Sequence, residues 1–138
     1  MTIPPPHSSA RKLVVVDDER AFTSLLEAAL TEVLNCPIVT FTAPLEALEM
    51  IKREPIAMLV TDFHMPAMDG IQLVQALEQL QPGVPAIIVT GHNLKPHKQR
   101  ADAIPALKAI IQKPFGLKEL KETIFRHWRE NPESIIRP

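Results

Sequence analysis

Five short apolar runs, rich in β-branched residues and separated by segments of helical period, restrict this chain to few folds. The runs cover residues 12–16, 38–41, 57–61, 86–90 and 109–112. None alternates strictly between apolar and polar residues. Strands buried on both faces have that pattern, as in a parallel sheet covered by helices on each side. Between the runs, apolar residues recur at three- and four-residue spacing. Phe22, Leu25, Leu26, Ala29, Leu30, Val33 and Leu34 make one stripe. Pro44 suits a first helical turn ahead of Leu45, Leu48 and Ile51. Asp69 and Gln72 have capping-box spacing at the head of a third helix, whose stripe is Ile71, Val74, Leu77 and Leu80 and which Pro82-Gly83 stops. Leu117, Leu120, Ile124 and Trp128 form the last stripe, with Trp128 assigned to the core. The fourth helix is short, because Pro96 suits its start and Pro105 ends it.

This alternation predicts one α/β domain: a doubly wound, five-stranded parallel sheet of order 2-1-3-4-5 with helices on both faces. The domain is expected over 11–129, preceded by a disordered N-terminal segment at 1–10 and followed by a C-terminal tail at 130–138. A hydrophobic content of 46% excludes a disordered chain, and a net charge of −1 supplies no basic field for nucleic acid. No segment approaches the roughly 20 apolar residues of a membrane span, and the N-terminus lacks a signal-peptide core. The single cysteine, Cys36, excludes an internal disulfide and is assigned to a buried structural thiol. A cytoplasmic protein without direct nucleic-acid or membrane contact is expected.

Polar residues end these runs. Asp17-Asp18 follow the first, Asp62 the third, Thr90 closes the fourth and Lys113 follows the fifth. In a sheet of order 2-1-3-4-5 the switch point lies between strands 1 and 3, so the three carboxylates meet where such a sheet binds its ligand. Close carboxylates repel unless a cation or protons intervene, and oxygen-only ligands favour a hard cation such as Mg²⁺, with Mn²⁺ as a substitute. A carboxylate also serves as a nucleophile toward phosphorus. A hydroxyl and an ammonium suit the remaining phosphoryl oxygens. Singly, each residue reads as a helix cap or loop residue; their convergence on one rim makes the functional reading the stronger.

The segment Asp62-Phe63-His64-Met65-Pro66-Ala67-Met68-Asp69-Gly70 resembles the phosphoacceptor loop of response-regulator receiver domains. Val16-Asp17-Asp18-Glu19 resembles their acidic pair, Ile88-Val89-Thr90-Gly91 their threonine segment, and Lys113-Pro114-Phe115 their lysine motif. The resemblance spans about residues 11–129 and implies a flavodoxin-like fold. It implies Asp62 as phosphoacceptor from a sensor histidine kinase or phosphotransfer protein. It also implies Mg²⁺ held by Asp18, Asp62 and the His64 carbonyl, with Asp17 acting mainly through water, and phosphoryl contacts from Thr90 and Lys113. The Lys113–Pro114 bond is expected to be cis. An unidentified downstream protein would read the switch, from a monomer or weak homodimer.

The chain departs from the family pattern at Ile110, where chemotaxis-type receivers have an aromatic residue, and at Pro105-Ala106, where a glycine is usual. These departures put the standard output mechanism, not the phosphorylation chemistry, in question. His64 and His92 read as solvated loop histidines, with control of water access to a phosphoryl group as the sharper alternative. Lys95, His97, Lys98 and Arg100 read as a solvated basic face. With about nine residues after the last helix, a module without an attached effector domain is expected. The alternatives are a receiver cut from a hybrid kinase or larger regulator, a Mg²⁺-dependent phosphohydrolase, or an unphosphorylated scaffold. Adjacent Asp17-Asp18 in place of a D-x-D motif disfavours the hydrolase. Four glycines without a G-x-x-x-x-G-K-[ST] loop disfavour nucleotide binding.

Overall fold

The protein, seen in a computed structural model, is described over residues 11–129 and at residue 135. The expected N-terminal segment 1–10 and the tail 130–138 apart from Ile135 lie outside the described residues. The strands are β1 (Lys12–Val16), β2 (Ile38–Phe41), β3 (Ile56–Thr61), β4 (Ala86–Thr90) and β5 (Leu107–Gln112). The helices are α1 (Arg20–Val33), α2 (Pro44–Arg53), α3 (Gly70–Leu80), α4 (Lys98–Asp102) and α5 (Leu117–His127), with a 3-10 turn at Lys95–His97. The sheet order is β2-β1-β3-β4-β5, all parallel, as the alternating pattern implies.

The pleat sorts each strand's side chains onto two cores. Val14, Val16, Leu59, Ala86 and Ile88 pack with α2, α3 and the 94–106 segment. Leu13, Val15, Met58, Val60, Ile87 and Val89 pack with α1, α5 and Ile135. This two-sided burial explains why β1, β3 and β4 lack alternation, whereas the edge strand β5 turns Lys108, Ile110 and Gln112 outward. A register shift between Lys12 and Leu13 lets Ile56 join the same core as Leu59, which regular alternation forbids.

The boundaries differ from expectation in small ways. β3 begins at Ile56 rather than 57, and β5 at Leu107 rather than 109. Leu34 and Trp128 stand one residue beyond their helices, yet Leu34 is fully buried and Trp128 packs against the same core. Leu25 (64% exposed), Leu45, Leu80 and Leu117 leave their stripes for solvent. Cys36 is half-buried, packed against the core rather than sealed in it, because it lies in the loop before β2.

Local chemistry sets the helix starts near the site. Pro44 opens α2. At α3, Asp69 Oδ1 accepts the Gln72 N–H (2.8 Å) while Gln72 Oε1 accepts the Asp69 N–H (2.9 Å). At the opposite end of the sheet one side chain ties three elements together. Gln81 Nε2 donates to the carbonyls of Ile51 and Glu54, both at 2.8 Å, and Gln81 Oε1 accepts the Ile56 N–H at 3.0 Å. Truncation orphans these groups in a partly buried seam. Gln81→Ala is expected to lower unfolding free energy by about 1–3 kcal/mol, read from the urea midpoint at unchanged slope.

Candidate functional site

β1 and β3 are neighbours with Val16 paired to Thr61, so Asp17 and Asp62 leave adjacent strands at the same level. The Asp62 N–H donates to the Val16 carbonyl (2.9 Å) and the Asp17 N–H to the Phe41 carbonyl (3.1 Å), extending the ladder beneath both carboxylates. β4 and β5 align Thr90 with Gln112, and the Lys113 N–H donates to the Thr90 carbonyl at 2.8 Å. Lys113 therefore leaves the sheet three strands from Asp17, with β3 and β4 between them. Its side chain crosses that distance.

Asp17, Asp18 and Asp62 each offer an oxygen within 4.8 Å of the others. Asp17 is buried, with Oδ1 accepting the Glu19 N–H (2.9 Å) and Oδ2 facing Lys113 Nζ (2.9 Å). Asp62 is half-buried; Oδ1 accepts the Phe63 N–H (2.8 Å) and Oδ2 lies 3.8 Å from Lys113 Nζ. Asp18 is exposed at the rim. Such an all-oxygen set fits a hard divalent cation and does not fit a soft one. Thr90 is buried, and its hydroxyl oxygen accepts the His92 N–H at 3.0 Å rather than touching the carboxylates.

The loop from Asp62 to Gly70 closes on itself. The Gly70 N–H donates to the Phe63 carbonyl (2.7 Å), and Thr61 Oγ1 donates to the Asp62 carbonyl (2.9 Å). A Cβ on Gly70 would stand 2.2 Å from the Asp62 carbonyl oxygen, so only glycine allows this closure. Ala67 adopts φ of 73° in a three-residue turn closed by the Met68 N–H and the Pro66 carbonyl (2.9 Å). The Lys113–Pro114 bond is cis.

Several contacts escaped sequence reasoning. Lys113 Nζ lies 4.2 Å from the centroid of the Phe22 ring. Arg100 reaches Asp69 with contacts of 3.1 and 3.3 Å and lies 3.2 Å from His97 Nδ1. The basic cluster is thus not merely a solvated face: Lys98 pairs with Asp102, and Arg100 ties α4 to the head of α3. His64 and His92 are exposed as expected, but their ring centroids lie 5.0 Å apart at a tilt of 36°, and those of His97 and Phe63 4.9 Å apart at 46°. Gln112 Nε2 donates to the His92 carbonyl (3.2 Å). Ile110 points outward, 43% exposed. The Lys98–Asp102 pair has the i,i+4 spacing that a helix face shows in sequence; no such pattern marks Lys113 on Phe22, Arg100 on Asp69 or Gln112 on His92, which join separate elements.

The response regulator receiver domain family matches this chain over residues 13–125. A CheY homologue, a chemotaxis protein of Campylobacter jejuni, is 33% identical over 120 residues, 82% of this chain and 88% of the relative. The transcriptional regulatory protein GlrR of Escherichia coli K12 is 32% identical over 116 residues, but the chain spans only about a quarter of that relative's length (25%). Among solved structures, a CheY-like receiver domain protein from Methanospirillum hungatei superposes with a TM-score of 0.78 at 25% identity, covering 86% of this chain and 93% of that one. The sheet order, with helices on both faces, defines the flavodoxin-like fold class. Within it, this chain belongs to the response regulator receiver domain family of two-component systems. The matched region is a signalling domain of that family. No helix among the described residues is long and apolar enough to cross a membrane.

Burial raises the Asp62 carboxyl above its ordinary value of 3.8, with Asp17 and Asp18 adding to the rise and Lys113 and the Phe63 N–H opposing it. Ionisation of Asp62 therefore opposes folding. Its stabilising contribution is complete below 3.8 and is lost as pH rises through the higher folded-state value. In chelator, Asp62→Asn is expected to melt above the wild type near neutral pH, with the difference closing as pH falls below 3.8. Parallel melting curves across pH check this.

Proposed function

We propose that Asp62 is the phosphoacceptor of this receiver and that the acidic rim loads a divalent cation for the transfer. The observation behind this reading is the meeting of three carboxylates within 4.8 Å, with Lys113 reaching Asp17 and Asp62. One Asp62 oxygen attacks the phosphorus of a phosphohistidine. A P–O bond forms, the P–N bond breaks, and the imidazole leaves with the electron pair and takes a proton from water. Asp18, Asp62 and the His64 carbonyl would hold Mg²⁺ or Mn²⁺, with Asp17 contributing through water. The bound cation supplies neutralisation of phosphoryl charge. Lys113 meets a second phosphoryl oxygen as a point charge, and the Thr90 hydroxyl a third. In turning to the phosphoryl group, Thr90 weakens its bond to the His92 N–H. The 92–106 segment then shifts, with outward Ile110 as a passive neighbour.

The phosphodonor is a sensor histidine kinase or phosphotransfer protein. Beside Lys113 lies a cleft of about 590 Å³ whose walls include Phe22, Leu25, Leu26, Ala29, Phe115 and Leu117. Its continuity with the acidic rim suits the apolar face of a helix that presents the phosphohistidine. The downstream reader is a protein that recognises the shifted 92–106 surface.

With acetyl phosphate and Mg²⁺, one phosphoryl group per chain is expected on Asp62, with slow release. Equal labelling of Asp62→Asn would falsify the assignment, and many turnovers would instead indicate a phosphohydrolase. Millimolar Mg²⁺ should raise the melting temperature of wild type and leave Asp18→Asn nearly unchanged, because a ligand bound only by the native state stabilises it. Equal shifts in both proteins argue against a cation site at Asp18.

A further inference from the structure

Lys113 faces carboxylates on one side and an aromatic ring on the other. Its Nζ is 2.9 Å from Asp17 and 4.2 Å from the Phe22 ring centroid. Phe22 is on the first turn of α1 and half-buried, and its ring meets Phe115 edge-on at 6.1 Å and 85°. Phe115 belongs to the same loop as Lys113. The ring that receives the ammonium is therefore braced by the segment that delivers it. Ring and ammonium both border the apolar cleft, and the Lys113 side chain is 23% exposed. An ammonium on an aromatic face is attracted by the ring's negative quadrupole, most strongly where water is partly excluded.

We propose that Phe22 is a positioning residue for phosphoryl transfer, holding the Lys113 ammonium where a phosphoryl group on Asp62 will meet it. The inference rests on the reading of Asp62 as acceptor and Lys113 as phosphoryl contact. A lysine is a hydrated point charge on a flexible four-carbon stem, so its placement depends on what flanks it. Asp17 and Asp62 cannot provide a constant hold. A divalent cation competes with the ammonium for both, and phosphorylation changes the charge on Asp62. The Phe22 face keeps its attraction for an ammonium in every state of the site. Among the described residues it is the Lys113 contact that competes neither for cation nor for phosphoryl oxygen. Preorganisation of this kind removes reorganisation from the transfer step.

The test uses the full chain, acetyl phosphate and Mg²⁺, with no protein partner, so docking in the cleft plays no part. Phe22→Leu keeps apolar bulk against Leu25, Leu26 and Ala29 but removes the ring face. It is expected to be phosphorylated about three- to tenfold more slowly, with melting temperature and Mg²⁺ affinity near wild type. Phe22→Tyr keeps the ring and restores the rate to within about twofold. The independent readout is nuclear magnetic resonance. The ring current shifts the Lys113 ε-methylene protons upfield in wild type and Phe22→Tyr, and the shift disappears in Phe22→Leu. Phosphorylation of Phe22→Leu at the wild-type rate, a Tyr variant as slow as the Leu variant, or unshifted Lys113 protons in wild type each overturn the proposal while leaving the Asp62 assignment intact. A wild type that takes no label on Asp62 overturns that assignment and the proposal together.

Discussion

Among the described residues, three carboxylates share one rim with the single ammonium of Lys113, and much of the structure around them manages that imbalance. Asp17 is the best compensated, with a backbone N–H on one oxygen and Lys113 on the other. Asp62 has a backbone N–H and a longer reach to Lys113, and its carboxyl is raised above the ordinary range chiefly by burial. Asp18 sits in solvent, where water screens it. The rim is thus short of positive charge, and its oxygen donors match the chemistry of a hard divalent cation.

The backbone beneath the rim does not share that looseness. β1 and β3 lie side by side at the centre of the sheet, and their ladder continues one residue past the strands to the carboxylates themselves. The Asp62–Gly70 loop is fastened by its own hydrogen bonds and by a contact with Gly70 that leaves no room for a side chain. Asp69 closes the loop twice, as the cap of α3 and as the anchor for Arg100 of α4. Rigid carboxylate placement therefore coexists with an attached helix of only five residues. Few packed turns make α4 the element with least to lose on moving.

Routes out of the site follow from the same contacts. Thr90 is linked to His92, His92 to Gln112, and Phe63 to His97, so the 92–106 segment touches the acidic rim's surroundings at two places. Neither contact needs an aromatic side chain at Ile110, which already faces outward.

The fold class was legible because its determinants are periodic and local. Two-sided burial wrote itself into runs such as 12–16 and 86–90, and the capping box at Asp69 and Gln72 marked a helix start with one spacing. The site's carboxylates and Lys113 were legible because each stands at the end of such a run, where parallel topology makes strand ends converge. Helix ends at Val33 and His127 were less so, since Leu34 and Trp128 continue the apolar stripe after the backbone has left the helix. The sequence by itself determined the elements, their order and the acidic rim. Only tertiary structure decided what these charged and polar side chains touch: Phe22 under Lys113, Arg100 on Asp69, Gln112 on the His92 carbonyl. Those pairs join residues distant along the chain, and their energies depend on distances of a few ångströms that exist only once the sheet and helices have packed.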